Sequence, residues 1–336
     1  MTASTAILLI NVGTPDSPRV GDVRRYLSEF LNDGRVIDMP RIARFLLVNG
    51  IIVPFRAPRS ARLYRELWTD RGSPLLTHGV KLKEKLQFSL GDEYEAFLAM
   101  RYGNPGLTEV LEEIRKKEFK RLVAIPLFPQ YASSTTGTAL ERLMEIVAEW
   151  RVIPEIKTVG QFWDHPLFIE AFAENIHRFD LSSYDHILFS YHGLPVSHID
   201  SVHRGVRVGK CQCHDSMPDH GSFCYRATCY ATTRLLAAKL ELKKEEHSVA
   251  FQSRLTKNWL TPFADQVVAG LARKGVRKLL VVAPSFVADC LETTLEIGNE
   301  YAGVFRQNGG ERLDLVPGLN DSQRWIDALT SMIREV

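Results

Sequence analysis

Several absences narrow the reading of this chain before any motif is considered. No stretch of its 336 residues approaches the roughly 20 consecutive apolar residues of a membrane-spanning helix. The longest candidate, Phe45 to Phe55, is interrupted by Asn49, Gly50 and Pro54. The opening residues Met1 to Thr5 hold no basic segment followed by a long apolar one, so no secretory leader is expected. Basic residues barely outnumber acidic ones, 42 Lys and Arg against 40 Asp and Glu. Nucleic-acid proteins usually carry a marked basic excess, which argues against that class. No G-x-G-x-x-G follows the first apolar run, and no G-x-x-x-x-G-K-[ST] occurs anywhere, so nucleotide cofactors find no support. Cysteines are few, and none forms the paired C-x2-C knuckles of a zinc ribbon. A cytoplasmic protein is the simplest expectation, and five cysteines in one are expected to be reduced or metal-bound.

What is present is a regular alternation. Ala6 to Ile10 is a short continuous apolar run closed by Asn11-Val12-Gly13-Thr14-Pro15, the pattern of a strand buried on both faces and followed by a turn. Similar runs recur at Glu95–Tyr102, Arg121–Leu127, Ile156–Val159, His186–Ser190, Ser248–Gln252, Lys278–Ala283 and Leu313–Val316. Helical spacing falls between them at Val23–Phe30, Leu107–Lys117, Leu167–Arg178, Tyr230–Leu242 and Phe263–Lys274, with a last amphipathic helix at Ser322–Glu335. Strands alternating with helices predict parallel sheets flanked by helices. The expected fold is therefore α/β: two Rossmann-like lobes, residues 4–162 and 163–336, each a parallel sheet of about four strands, with a cleft between them. The final helix is counted within the second lobe, with packing on the first as the alternative.

Two pieces fall where strands end, and ligands of open parallel sheets sit outside the carboxyl ends of strands. Ser190-Tyr191-His192-Gly193-Leu194-Pro195 delivers an imidazole, which exchanges protons near neutrality, and Gly193 and Pro195 bend the chain directly after it. Asp289-Cys290-Leu291-Glu292 to Glu296 begins a row of carboxylates, Glu292, Glu296 and Glu300, spaced by four. A solvated acidic face is the ordinary meaning of such a row, but no Lys or Arg stands at matching spacing to pair with it. A path for a hard cation or a proton relay fits it better. Ser133 to Gly137 suggests a turn with hydroxyl caps. Arg56, Arg59, Arg62, Arg65 and Arg71 fit a solvated helix face, carboxylate capture or contact with a membrane surface. Cys211, Cys213, Cys224 and Cys229 crowd one loop, where reduced thiols rarely lack a metal. Zinc and an iron–sulfur cluster both fit, with His214 and His220 as substitute ligands.

Leu9-Ile10-Asn11-Val12-Gly13-Thr14-Pro15, Phe128-Pro129-Gln130-Tyr131 with Ser134-Thr135-Thr136-Gly137, Ser190 to Pro195, Phe251-Gln252-Ser253-Arg254 and Asp289 to Glu296 occur in the order found in ferrochelatases. The chain resembles that family over nearly its whole length. The resemblance implies insertion of ferrous iron into a porphyrin, protoporphyrin IX, with release of two protons. It implies His192 as catalytic imidazole and Glu292 as its carboxylate partner, the pair that also meets the metal, with Glu296 extending the row. Asn11, Val12, Arg101, Tyr102, Tyr131 and Trp259 match positions lining the porphyrin. The segment Phe45 to Arg71 looks like the lip over which porphyrin enters, which implies peripheral contact with the inner membrane. Animal members hold a 2Fe–2S cluster partly in a C-terminal extension and partly at the position of Ser133, and that cluster is not expected here. The four loop cysteines are instead similar to those of bacterial members with an internal 2Fe–2S cluster, zinc being the alternative. Cys290 stands where animal members have a histidine. Chelation of coproporphyrin or sirohydrochlorin, or a non-enzymatic iron–sulfur or haem sensor, are the competing expectations, and the oligomeric state stays open. Coproporphyrin-using members often have Tyr where this chain has Val12, which favours protoporphyrin.

Overall fold

The structure, a computed structural model, describes residues 3–203 and 205–336; Met1 and Thr2, where the leader expectation began, lie outside the described residues. The chain divides into two compact units. The first comprises the residues through Phe128, Ala132–Gln161 and Asp321–Val336, and the second comprises Pro129–Tyr131 and Phe162–Asn320.

In the first unit, β1 (Thr5–Thr14) is followed by α1 (Val20–Leu31), α2 (Arg41–Leu47), α3 (Val53–Leu67) and α4 (Pro74–Leu90). Then come β2 (Tyr94–Gly103), α5 (Leu107–Lys116), β3 (Arg121–Pro126), α6 (Thr138–Ala148) and β4 (Glu155–Thr158). The strands pair in parallel in the order β2-β1-β3-β4. Ala6 to Ile10 are fully buried on both faces of β1, as their unbroken apolar run implies. Each such large side chain contributes about 1.5–3 kcal/mol by leaving water. One face of the sheet is covered by Leu107, Val110, Leu111 and Ile114 of α5 and by Ala139, Leu143 and Val147 of α6. On α4, a Cβ at Gly79 would stand 3.0 Å from Leu98 of β2, so the absent side chain lets that helix lie flush on the strand.

In the second unit, α7 (Pro166–His177) precedes β5 (His186–His192), α8 (Val196–Asp200), α9 (Tyr225–Lys239), β6 (His247–Gln252), α10 (Ala264–Arg273) and β7 (Lys278–Val282). A ten-residue π-helix (Glu292–Tyr301), α11 (Ala302–Gln307) and β8 (Arg312–Leu315) follow. The strand order is β6-β5-β7-β8, all parallel, the same order as in the first unit. The last helix, α12 (Gln323–Glu335), returns to the first unit and packs on α4.

The duplication reaches into detail. After β2, the Met100 amide donates to the Pro105 carbonyl at 2.7 Å; after β6, the Phe251 amide donates to the Pro262 carbonyl at 2.8 Å. Each loop thus hydrogen-bonds back onto its own strand. In a sheet of order 2-1-3-4 the winding reverses between the first and third strands. The carboxyl ends of β1 and β3, and of β5 and β7, are therefore the places where ligands are expected.

Candidate active site

His192 is the last residue of β5 and so stands at this reversal point in the second unit. Its backbone amide donates to Ser285 Oγ at 3.3 Å, just beyond β7. Its Nδ1 lies 2.6 Å from the Gly193 carbonyl, which can only accept, so the proton of the neutral ring resides on Nδ1 and Nε2 keeps a free lone pair. Trp259 and Phe286 flank the ring at centroid distances of 6.3 and 6.2 Å. The bend after it needs glycine. A Cβ on Gly193 would lie 2.7 Å from the Gln252 carbonyl oxygen, to which the Gly193 amide donates. Trp259 is fixed by a bridge to Pro195 and by hydrogen bonds on either side, Val196 amide to Asn258 carbonyl and Leu260 amide to Leu194 carbonyl.

Beside His192 in register is Gln252, fully buried at the end of β6. Its oxygen accepts from Ser190 Oγ at 2.7 Å, and its nitrogen donates to the Glu292 carbonyl at 3.0 Å and to Glu296 Oε2 at 3.3 Å. Glu296 gathers three further donors: Ser253 amide at 2.8 Å, Ser253 hydroxyl at 2.5 Å and Tyr301 hydroxyl at 2.7 Å. Ser253 takes a positive φ of 61°, a left-handed conformation costly for a residue with a Cβ. Both of its donors converge on one carboxylate in that conformation, which fits strain retained at a functional site. Burial, followed by the adjacent Glu296 charge and its hydrogen bond, pushes the Tyr301 phenol well up, so it stays a donor.

The carboxylate row is built on a wider helix than its spacing suggests. In a π-helix the hydrogen-bonded partner is five residues on, and such segments gather at functional sites. Tyr301 is five residues after Glu296, which is how its hydroxyl comes under that carboxylate. Glu292 and Glu296 are half-buried, whereas Glu300 is exposed. The Glu292 carboxylate lies against the buried Cys290 thiol; burial first, then the nearby Glu292 charge, pushes that thiol well up and keeps it neutral. Asp289, which opens the row in sequence, turns elsewhere. Its carboxylate accepts from the Gly318 amide at 2.9 Å and from Asn320 Nδ2 at 2.7 Å, and it clasps a loop.

In the first unit, Asn11 and Val12 follow Ile10, the last residue of β1 paired with β3, and so stand at the corresponding reversal point, with Asn11 Oδ1 accepting from the Val12 amide at 2.8 Å. Arg101 and Tyr102, on β2, both bind Asp33: Arg101 Nη2 donates to Oδ2 at 2.7 Å and the Tyr102 hydroxyl at 2.8 Å. Thr138 Oγ1 donates to the same oxygen, and Arg101 Nε donates to Thr138 Oγ1 at 2.9 Å. Burial alone would raise the Asp33 pKa, but the Thr138 hydroxyl, the Arg35 amide, the Tyr102 hydroxyl and the Arg101 guanidinium together lower it. Sequence spacing gave no sign of Asp33, which lies far from both partners along the chain. The turn at Ser133 to Gly137 exists, as a π-turn. Backbone bonds from the Thr135 and Gly137 amides to the Ala132 carbonyl close it, and the Thr135 hydroxyl donates to the same carbonyl at 3.4 Å.

The segment from Arg41 to Leu67 is helical throughout, α2 running through a π-turn into α3. It exposes Ile42, Phe45, Leu46, Ile51 and Phe55, the last at 80%. Arg56, Arg59, Arg62 and Arg65 of α3, and Arg71 beyond it, are exposed. Among the described residues no helix is long and apolar enough to cross a membrane.

The cysteine loop forms a separate site in the second unit. Cys211, Cys213, Cys224 and Cys229 are all buried and unpaired by disulfides. Cys213 donates to Cys224, which raises the first thiol and lowers the second. Cys224 also caps α9, its sulfur accepting from the Ala227 amide at 3.4 Å. His220 joins the thiols, with Nε2 at 3.5 Å from Cys211 Sγ. His214 does not: it pairs with Asp215 at 3.0 Å on the surface. His203, which the spacing did not single out, does belong there. One of its ring nitrogens, the Cys211 sulfur and a His220 nitrogen all lie within 4.8 Å of one another. Buried thiols beside imidazoles are a donor set that fits a metal centre.

Two four-stranded parallel sheets of identical strand order, flanked by helices, give the chain a chelatase-like fold. Over the full length of the chain the fold matches SirB from Bacillus subtilis with Fe3+, covering 95% of that chain at a TM-score of 0.53 and 12% identity. The sirohydrochlorin chelatase SirB from Bacillus subtilis subspecies spizizenii in complex with cobalt gives the same TM-score. Residues 4–336 match the family model for ferrochelatase. A ferrochelatase of Legionella pneumophila (strain Paris) is 44% identical over 331 residues, 98% of either chain. One of Coxiella burnetii (strain CbuK_Q154) is 41% identical over 335 residues, 98% of this chain and 93% of the other. The chain belongs to the ferrochelatase family. It is a porphyrin metal chelatase, a lyase of haem biosynthesis.

Proposed function

We propose that this ferrochelatase inserts ferrous iron into protoporphyrin IX, with His192 taking the pyrrole protons. The observation that carries the assignment is the Nδ1–H bond to the Gly193 carbonyl. It fixes the tautomer that leaves Nε2 as an acceptor, as a general base requires. Two protons must leave the macrocycle for each iron that enters. Glu292, whose carboxylate lies beside the neutral Cys290 thiol, shares or polarises the proton taken by His192, and the pair meets the incoming metal. Glu296 extends the row as a carboxylate held in place by its four donors. Asn11, Val12, Arg101, Tyr102, Tyr131 and Trp259 form the porphyrin-contacting set. A planar macrocycle presents its nitrogen lone pairs poorly to a metal, so binding it bent lowers the insertion barrier. The exposed apolar side chains of Arg41–Leu67, next to arginines, suit peripheral contact of a cytoplasmic protein with the inner membrane. The loop of Cys211, Cys213, Cys224 and Cys229 carries a 2Fe–2S cluster, zinc being the alternative, which stabilises or senses iron supply and takes no part in insertion.

The test is anaerobic loss of porphyrin fluorescence on addition of ferrous iron, with protoporphyrin and coproporphyrin in parallel. Wild-type protein is expected to consume protoporphyrin faster, and His192→Ala to bind porphyrin without metallating it. Preference for coproporphyrin would overturn the substrate assignment, and near-wild-type turnover by the variant would remove His192 from the mechanism.

A further inference from the structure

Buried polar atoms in folded proteins nearly always have hydrogen-bond partners, and each exception needs a reason. His203 is such an exception. Its ring is 5% exposed, and among the described residues neither Nδ1 nor Nε2 makes a hydrogen bond of good geometry. The ring packs edge-on against His220 at a centroid distance of 4.8 Å and an interplanar angle of 71°. A hydrogen bond between Cys211 and His220 explains one nitrogen of His220 and leaves both nitrogens of His203 unexplained. The loop that presents them is held from outside the cluster. Asp200 Oδ1 accepts from the Val208 amide at 2.6 Å, and Arg226 Nη1 donates to the Val208 and Cys211 carbonyls at 3.0 and 3.5 Å. The chain thus spends several interactions on bringing two imidazoles and a thiol together.

We infer that His203 and His220 are ligands of the metal centre in the cysteine loop, so that at least one metal atom there has a mixed nitrogen–sulfur shell that includes Cys211. The inference rests on the reading that this loop holds a metal, and changes its donor set. Thiolate and imidazole together serve both zinc and iron, and replacing thiolates by imidazoles in a 2Fe–2S centre raises its potential. One of Cys213 and Cys224, which are in contact with each other, supplies the fourth ligand of this set.

The experiment uses the full chain purified without oxygen. Iron, zinc and acid-labile sulfide are measured first; protein with none of them in stoichiometric amount overturns both this inference and the metal reading. X-ray absorption at the edge of the metal found is then expected to show nitrogen near 2.0–2.1 Å beside sulfur near 2.3 Å, about the usual bond lengths. If the metal is iron, spin-echo spectra of the reduced protein are expected to show nitrogen coupling that changes when only histidine is 15N-labelled, a readout that needs no variant. His203→Ala and His220→Ala are each expected to lose nitrogen from the shell, and His214→Ala to leave it unchanged. A loaded centre with an all-sulfur shell overturns this inference and leaves the metal reading standing.

Discussion

Replacing Glu296 with glutamine separates the two things its carboxylate can do. The substitution keeps the shape and removes the charge. Of the four donors, the Ser253 amide and the Tyr301 hydroxyl share Oε1 and can both stay on the remaining oxygen. The new NH2 group then faces Ser253 Oγ, which can rotate to accept, and Gln252 Nε2, which cannot. One contact is lost and three bonds lose their ionic character, each worth about 1 kcal/mol, the difference between charged and neutral hydrogen bonds. Allowing for partial exposure, the second unit should lose about 2–3 kcal/mol. For a unit of this size that lowers the melting temperature by about 4–12 °C. Glu292→Gln breaks no comparable set and should leave the transition in place while abolishing metallation. The assay is scanning calorimetry together with fluorescence-followed metallation. A melting temperature for Glu296→Gln within about 1 °C of wild type, on the same scale, would show that the four donors do not hold the π-helix against β6.

Three further outcomes follow from the geometry. Asp33→Asn should destabilise the first unit by about 3 kcal/mol, because the Arg101 side chain, 15% exposed, loses its anion. Since the folded pKa of Asp33 is lowered, its stabilisation is complete above the unfolded value of about 3.9 and fades as pH falls through the lower folded one. The gap between wild type and variant in urea melts should therefore close below about pH 4, and a constant gap would refute the assignment. Gly193→Ala must move the peptide after His192 away from the Gln252 carbonyl, 2.7 Å from the new methyl. A displacement of this kind can cost about a hundredfold in rate, so turnover should fall far more than stability; unchanged turnover would mean the bend does not aim the imidazole. Phe45→Asp with Phe55→Asp removes two exposed rings, 58% and 80% accessible, and should abolish sedimentation with anionic vesicles without altering metallation of detergent-dispersed porphyrin. Equal vesicle binding would end the membrane reading.

The strands were legible because β1, β3, β5 and β7 are buried on both faces and so appear as unbroken apolar runs. The α4 helix escaped notice. Gly79 and the exposed Phe88 and Val80 blur its apolar stripe, and only the fit of Gly79 on Leu98 explains the glycine. His192 and Glu292 could be picked out by their position after strands. The function of Glu296 could not, because its donors at Ser253 lie 43 residues away and depend on a left-handed backbone angle. A spacing of four suggested one stripe, whereas the π-helix pairs residues five apart and turns Glu300 to solvent. Asp33 and His203 were invisible for the same reason: each acts on partners brought to it by folding, with no local pattern to mark it.

The return of α12 has a consequence for synthesis on the ribosome. Trp325, Ile326, Ala328 and Leu329 of this helix are buried, and Asp321 just before it accepts from Lys85 Nζ at 2.6 Å. Domains ordinarily complete themselves in the order in which they are made. Here the unit begun first is finished last: its sheet and α4 emerge early, but the helix that covers α4 comes only after the entire second unit has been translated. Until then an apolar face stays open on the nascent chain, and a stop codon a few turns before the terminus would leave that face open for good.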